Sequence, residues 1–313
     1  MPFNPALRNM TGKTIAGYHL TQIIGYGSYG ATYKAISGSE TICLKVSDKF
    51  RGYENEWKTM EKLKGIRGVP TLIMHNSNET LWVIGMSLEG PNLKTLQERN
   101  PTKSFQKSTL HKMLYQLVTI LEEIHTRGIV HRDIKLNNII VSHPRSNDKS
   151  VYLIICDYGQ ARQYRNEEGQ RIMEPDDDYR LANRFHATPN VDMGEDHGPM
   201  DDVRQLSYAV LFASGYNDPE YLKNRTHRDK IKRELFRAPT GVLPECAQWM
   251  EYFFDAISEN DDIDFPNYEE IKDSAPQVKS NVLGKNFITH QKRFQISQNM
   301  NQKTCLVFFY KPT

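Results

Sequence analysis

Two kinds of periodicity, one up to residue 88 and another beyond it, predict an α+β fold in two lobes. The first observation is a series of short strand-like segments, HLTQII, ATYKAI, TICLKV, TLIMHN and TLWVIGM, interrupted by one helical stretch, YENEWKTMEKLKG. The second is STLHKMLYQLVTILEEIH, whose apolar residues fall at 110, 113, 114, 117, 118, 121 and 124, a sustained 3.6-residue period. Between them, Met86-Ser87-Leu88-Glu89-Gly90-Pro91 breaks both patterns and reads as a hinge. A small, mostly antiparallel β lobe with one key helix is expected first, then a larger, mainly α lobe.

The chain has 313 residues, 38% hydrophobic and 25% charged, enough for a sizeable core and for one bilobal domain or two ordinary ones. A net charge of +2 advertises neither nucleic acid nor a membrane as partner. The charge is uneven: after Pro276 there are six Lys or Arg and no Asp or Glu, so this tail carries +6 and the rest −4. Cys43, Cys156, Cys246 and Cys305 stand far apart with no CxxC pair, which argues against a zinc site and a disulfide framework. No signal-peptide core opens the sequence and no run reaches the 18 apolar residues of a membrane span, so an intracellular protein is expected, in cytoplasm or nucleus.

In chain order, Gly25, Gly27 and Gly30 form G-x-G-x-x-G between two strands. A dinucleotide fold would continue into a helix, whereas ATYKAI continues as a strand, so the loop is expected to cover phosphates from above. Lys45 lies within the apolar run Thr41–Val46, where an ammonium is costly unless it meets anions or snorkels from an edge. Helical spacing puts Glu56 on the face of Met60 and Leu63, so it points inward and wants a cation such as Lys45; Glu54 is the rival. Beyond the hinge, Ser108 or Thr109 can cap the long helix. IIVSH and VYLIICDYG read as two short strands around a polar turn, and Asp157 ends the second, where a carboxylate can hold a metal. Residues 160–189 read as long, polar and irregular.

The densest chemistry is His131-Arg132-Asp133-Ile134-Lys135-Leu136-Asn137-Asn138, a carboxylate, an ammonium and a carboxamide on one short loop. Phosphoryl transfer asks the protein for such groups, a carboxylate to orient the attacking hydroxyl and ligands for magnesium and phosphate oxygens. Asp133 suits the first role and Asn138 the second. Alone, the octet could be a solvated charged turn.

Taken in order, the glycine loop, strand lysine, helix glutamate, H-R-D-x-K-x-x-N and D-Y-G resemble the eukaryotic protein-kinase pattern. GVPTL, LEGPNL, DYG, the absence of A-P-E and the run ANRFHATPN resemble the casein kinase 1 group, which includes the vaccinia-related kinases, and mark the chain as a divergent member. The resemblance spans Tyr18 to Ile271 and implies an N-terminal extension (1–17), an N-lobe (18–88), a C-lobe (89–275) and a basic tail (276–313). It implies a serine/threonine protein kinase that uses ATP and Mg2+ on protein substrates. The glycines and Lys45, paired with Glu56, would contact ATP phosphates, and main-chain groups of Ser87 and Leu88 the adenine, with Met86 as gatekeeper. Asp133 would be catalytic with Lys135 neutralising the γ-phosphate, Asn138 and Asp157 would hold magnesium, and Asp202 would anchor the loop. Met60, His131 and Tyr158 would belong to an apolar spine.

Rival readings are a pseudokinase scaffold, which typically loses the lysine or an aspartate retained here, and a small-molecule kinase, which lacks the lysine two residues after the aspartate. No Ser or Thr lies between Gly159 and Thr188, only Tyr164 and Tyr179, so the acidic run 174–178 is expected to replace loop phosphorylation. The resemblance matches Arg184 to an anion site, while Gly198-Pro199-Met200 replaces an arginine-rich run, so acidic substrate preference is expected to be weak. The apolar 305–310 hexamer in the tail is expected to dock on the body or on a partner.

Overall fold

The computed structural model describes residues 4–27, 30–78, 80–143, 150–166, 168–172, 185–260 and 265–275. Strands β1 (Thr14–Ile15), β2 (Tyr18–Gly27), β3 (Gly30–Ser37), β4 (Glu40–Ser47), β5 (Leu72–Ser77) and β6 (Trp82–Ser87) form one antiparallel sheet in the order β1-β2-β3-β4-β6-β5. Successive side chains of a strand point to opposite faces. On β4, Ile42, Leu44 and Val46 are fully buried in a cluster on the back of the sheet with Tyr33 and Leu20, so Cys43 and Lys45 face the other way. The described part of the first 17 residues also belongs to this back layer. A 3₁₀ turn, Pro5–Asn9, buries Leu7, and the Tyr33 hydroxyl donates to the Leu7 carbonyl and accepts from the Met10 amide.

Helix α1 (Phe50–Lys62) packs on the inner side, and β6 leads through residues 88–92 into a helical lobe. Gly90 lies so close to that lobe that a Cβ would sit 2.8 Å from the Val141 carbonyl. Helix α2 (Leu93–Arg99), not anticipated from periodicity, follows an Asn92 cap that accepts from the Thr95 amide at 2.8 Å. Helix α3 (Lys107–Thr126) starts earlier than expected, and neither Ser108 nor Thr109 caps it; Gln106 stands at the N-cap with no side-chain bond. Its entry is set instead by buried Phe105, whose amide bonds the Ala213 carbonyl at 2.9 Å.

Strands β7 (Ile129–Val130), β8 (Ile139–Val141), β9 (Leu153–Ile155) and β10 (Arg162–Gln163) form two antiparallel pairs, β8 with β9 and β10 with β7. The second pair corrects the expectation that residues 160–189 are irregular throughout: Arg162 and Gln163 complete the ladder that Ile129 and Val130 begin. Helices α4 (Pro189–Asp192), α5 (Pro199–Ala213), α6 (Pro219–Lys223), α7 (Arg225–Arg237), α8 (Glu251–Glu259) and α9 (Tyr268–Ser274) complete the lobe. One apolar cluster runs from Met60 and Ile84 in the sheet lobe, through Leu117 and Tyr158, to Phe253. The lobes thus share a core, and the polar loops of the candidate site lie at their junction. Among the described residues, no helix is long and apolar enough to cross a membrane. Arg184, Tyr179, the acidic run and the 276–313 tail lie outside the described residues.

Candidate active site

The β2–β3 turn carries Gly25 and Gly27 at its first edge and Gly30 at its second. Gly30 is required by the backbone itself, since its φ is +136° and a Cβ there would lie 2.1 Å from the Val46 carbonyl oxygen. Gly25 and Gly27 are different, because among the described residues a Cβ on either would meet nothing within 4 Å.

Below the loop, β4 is an interior strand, so Lys45 is no edge lysine. Its ammonium reaches Glu56 at 2.6 Å and Asp157 at 2.7 Å, joining β4, α1 and the end of β9. Glu54 forms an exposed pair with Lys58, 2.7 Å apart, which removes the rival. Burial would push the Lys45 ammonium down, but Asp157 and Glu56 together carry it above the ordinary lysine value, so it stays charged. Burial also works against ionised Asp157, yet Lys45 outweighs it and holds the carboxyl below its usual range. At Glu56 burial wins and its pKa is raised. Asp157 sits in a left-handed backbone conformation, φ 71° and ψ 69°, which a non-glycine residue adopts only where its surroundings impose it.

A tie on the turn that follows was not legible in the sequence. The Asn55 carboxamide donates to the carbonyls of Tyr158, Gly159 and Ala161 at 3.3, 3.2 and 2.7 Å, tying the turn after Asp157 to α1. Half-buried Cys43 and Cys156 lie near the same cluster, and desolvation pushes both thiols up, Cys43 to about 12, which keeps them protonated.

The loop 131–138 carries the remaining groups. Lys135 approaches the Asp133 carboxylate at 2.6 Å, and the Asn138 amide nitrogen donates to the Asp133 carbonyl at 2.8 Å and its carboxylate at 3.0 Å. With its nitrogen so used, Asn138 has its side-chain oxygen left as a hard ligand for a cation. The side chain of Asp157 is 37% exposed, so it too has a free approach. A carboxylate and a carboxamide oxygen beside a charged lysine suit magnesium and phosphate oxygens, and the residues present therefore fit a bound Mg2+–ATP.

Asp202, fully buried on α5, accepts from the amides of His131 (2.6 Å) and Arg132 (2.8 Å) and from Nε2 of His125 and of His197 (both 2.9 Å). Burial alone would raise its pKa, but the two histidine bonds hold it well below the carboxylate range. Gln205, one turn further along α5, accepts from the Ile134 amide at 2.8 Å and donates to the Arg132 carbonyl at 3.2 Å. His125, His197 and Gln205 escaped the sequence reading, because nothing in the sequence signals that α5 closes on this loop: His125 is 77 residues from Asp202 and Gln205 is 71 from Ile134. His131 accepts from the Asp133 amide through Nδ1 and donates through Nε2 to the Cys156 carbonyl, which fits a ring kept neutral by burial. Its ring meets that of Tyr158 edge-on, with centroids 4.9 Å apart.

Ser87 and Leu88 leave the sheet at the cleft's rear. The Ser87 amide is committed to the Thr71 carbonyl at 2.9 Å, so its N–H is already used. Tyr164 is buried and donates to the His125 carbonyl at 3.0 Å, so it is no accessible modification site.

A sheet lobe and a helical lobe meeting at a lysine–carboxylate cluster and a polar loop define a phosphotransferase of the kinase type. The protein kinase domain family matches residues 18–303, and the chain belongs to that family. Among solved structures, it is similar to one of vaccinia related kinase 3, with 16% identity, a TM-score of 0.68, and coverage of 85% of this chain and 89% of the other.

Proposed function

We propose that the chain is an active serine/threonine protein kinase of the casein kinase 1 group, transferring the γ-phosphoryl of ATP to protein hydroxyls. One observation carries the reading: Asp133 is held by Lys135 and Asn138 on one side of a cleft whose other side is the Lys45, Glu56 and Asp157 cluster. A pseudokinase would be expected to have lost one of these. The likeness to vaccinia related kinase 3 in fold, together with LEGPNL, DYG and the missing A-P-E, supports the group. The lysine two residues after Asp133 supports Ser/Thr rather than Tyr as acceptor.

Bound magnesium would neutralise phosphate charge, with Asn138 and Asp157 as its ligands. Asp133 orients the acceptor hydroxyl and takes its proton, and Lys135, sharing that carboxylate at 2.6 Å, stands ready to offset charge on the transferring group. Lys45 holds phosphate oxygens under a lid formed by Gly25, Gly27 and Gly30. The Ser87 carbonyl and the Leu88 main chain bind the adenine. In this reading residues 18–88 and 89–275 are the working lobes.

Labelled phosphate transfer from Mg2+–ATP to a generic protein substrate tests the proposal. Asp133→Asn should lower turnover roughly 10²- to 10⁴-fold with nucleotide binding and melting temperature retained. Near-normal turnover in that variant would sink the assignment, and nucleotide binding without any transfer by the native chain would leave a scaffold. Phosphoamino-acid analysis of the product decides between Ser/Thr and Tyr.

A further inference from the structure

The described residues of the glycine loop, Gly25 to Gly27 and Gly30, stand at the open end of the β2–β3 ladder. A Cβ on Gly25 or Gly27 would find open space, and Tyr26 between them is 57% exposed. Tyr26 pairs with Ala31 across the β2–β3 ladder, and cross-strand partners share a face. Ala31 is buried in the back cluster, so the Tyr26 ring lies on the back of the sheet, away from Lys45. There it meets the segment that precedes the family match. The Arg8 guanidinium carbon lies 3.7 Å from the Tyr26 ring centroid.

Arg8 is exposed, but the turn that carries it is anchored on both sides. Leu7 and Met10 are buried at 2% and 7% exposure, and the Tyr33 hydroxyl bridges the Leu7 carbonyl and the Met10 amide. Asn4 caps the turn through the Ala6 amide and donates to Asp48, just beyond β4, at 3.0 Å. The outgoing chain is fixed by the Gly12 amide on the Leu20 carbonyl (2.8 Å) and the Leu20 amide on the Lys13 carbonyl (2.9 Å). Arg8 therefore projects from a support rooted in β2, β3 and the end of β4 onto the ring of Tyr26 in the glycine loop.

We propose that residues 4–10 form a brace that sets the position of the glycine loop over the nucleotide, with Arg8 stacked on Tyr26 as the positioning contact. The inference rests on the nucleotide reading of the cleft. A guanidinium over an aromatic face at an exposed site accounts for about a two- to five-fold effect on an equilibrium. Because the contact acts on the loop that covers the phosphates, the effect should fall on nucleotide affinity rather than on the acceptor hydroxyl.

The test uses the full chain with Arg8→Ala, Arg8→Lys, Tyr26→Leu and the double variant Arg8→Ala/Tyr26→Leu. Mg2+–ATP affinity is measured by calorimetric titration, KM for ATP and kcat by phosphate transfer, and melting temperature without nucleotide. Arg8→Ala is expected to weaken ATP binding and raise its KM about two- to five-fold, with kcat within about twofold and the melting temperature within about 2 °C. Arg8→Lys should recover part of the loss, and the double variant should be no worse than the worse single one, the signature of a coupled pair. Unchanged ATP affinity in Arg8→Ala, or fully additive losses in the double variant, overturns the brace. If the native chain itself binds no Mg2+–ATP, the nucleotide reading fails first; if it binds and Arg8→Ala binds equally well, the brace alone fails.

Discussion

Asp202 is fully buried, and four donors converge on its two oxygens, two from the backbone of the loop 131–138 and two from histidines. Replacing it with Ala leaves the His131 and Arg132 amides buried without an acceptor, so a loss of about 3–5 kcal/mol is expected, read as a lowered denaturation midpoint. Its depressed pKa also fixes the sign of a pH effect. The stabilisation is present in full above the ordinary carboxylate value of about 3.9 and is lost progressively below it, as the pH falls toward the folded-state value. Between pH 5 and 3 the melting temperature of Asp202→Asn should therefore fall less than that of the native chain. A parallel decline in the two proteins would show that other groups dominate acid sensitivity.

Helix α1 presents two consecutive polar residues to the cleft with separate tasks, Glu56 to Lys45 and Asn55 to three carbonyls of the turn after Asp157. Asn55→Ala removes the donors while leaving the charged cluster intact. It should cost about 1–3 kcal/mol in stability and lower turnover, checked by denaturant titration alongside phosphate transfer. Gly30→Ala acts on another element: the new Cβ would collide with the Val46 carbonyl, forcing β3 from β4, and ATP-dependent stabilisation should shrink more than for Gly27→Ala, where space is open. Helical spacing made Glu56 legible, since an acid among Met60 and Leu63 demands a cation. Asn55 was not legible, because its acceptors are backbone carbonyls, which carry no side-chain signature, more than 100 residues downstream. The start of α3 escaped for a related reason: a hydroxyl within reach of a helix end can cap, but the tertiary contact of Phe105 decided where the helix began.

Across the molecule, the apolar cluster passes from Met60 and Ile84 to Phe253 without a break, so the two lobes are not separate folding units joined only by a hinge. Heating should give one cooperative transition for the cleft and the helical lobe, with loss of activity coincident with loss of near-ultraviolet circular dichroism. Two well-separated transitions would contradict the shared core. The two-lobed α+β architecture was readable because strands and helices are segregated along the chain. The back layer of the sheet was not, since Leu7 and Met10 show no periodicity, and their burial comes from the Tyr33 hydroxyl and the covered faces of β2, β3 and β4.

The shared grip of Lys45 on Glu56 and Asp157 has a consequence for the order in which charges change hands. Asp157 serves the lysine in this conformation, and a divalent cation would have to win that carboxylate from it. Glu56 would keep the ammonium neutralised as Asp157 turned to the cation, so no bare buried charge would be left. Glu56 is thus a counterweight, and Glu56→Gln should shift the contest toward the lysine: the variant should need more magnesium to reach half-maximal activity at saturating ATP.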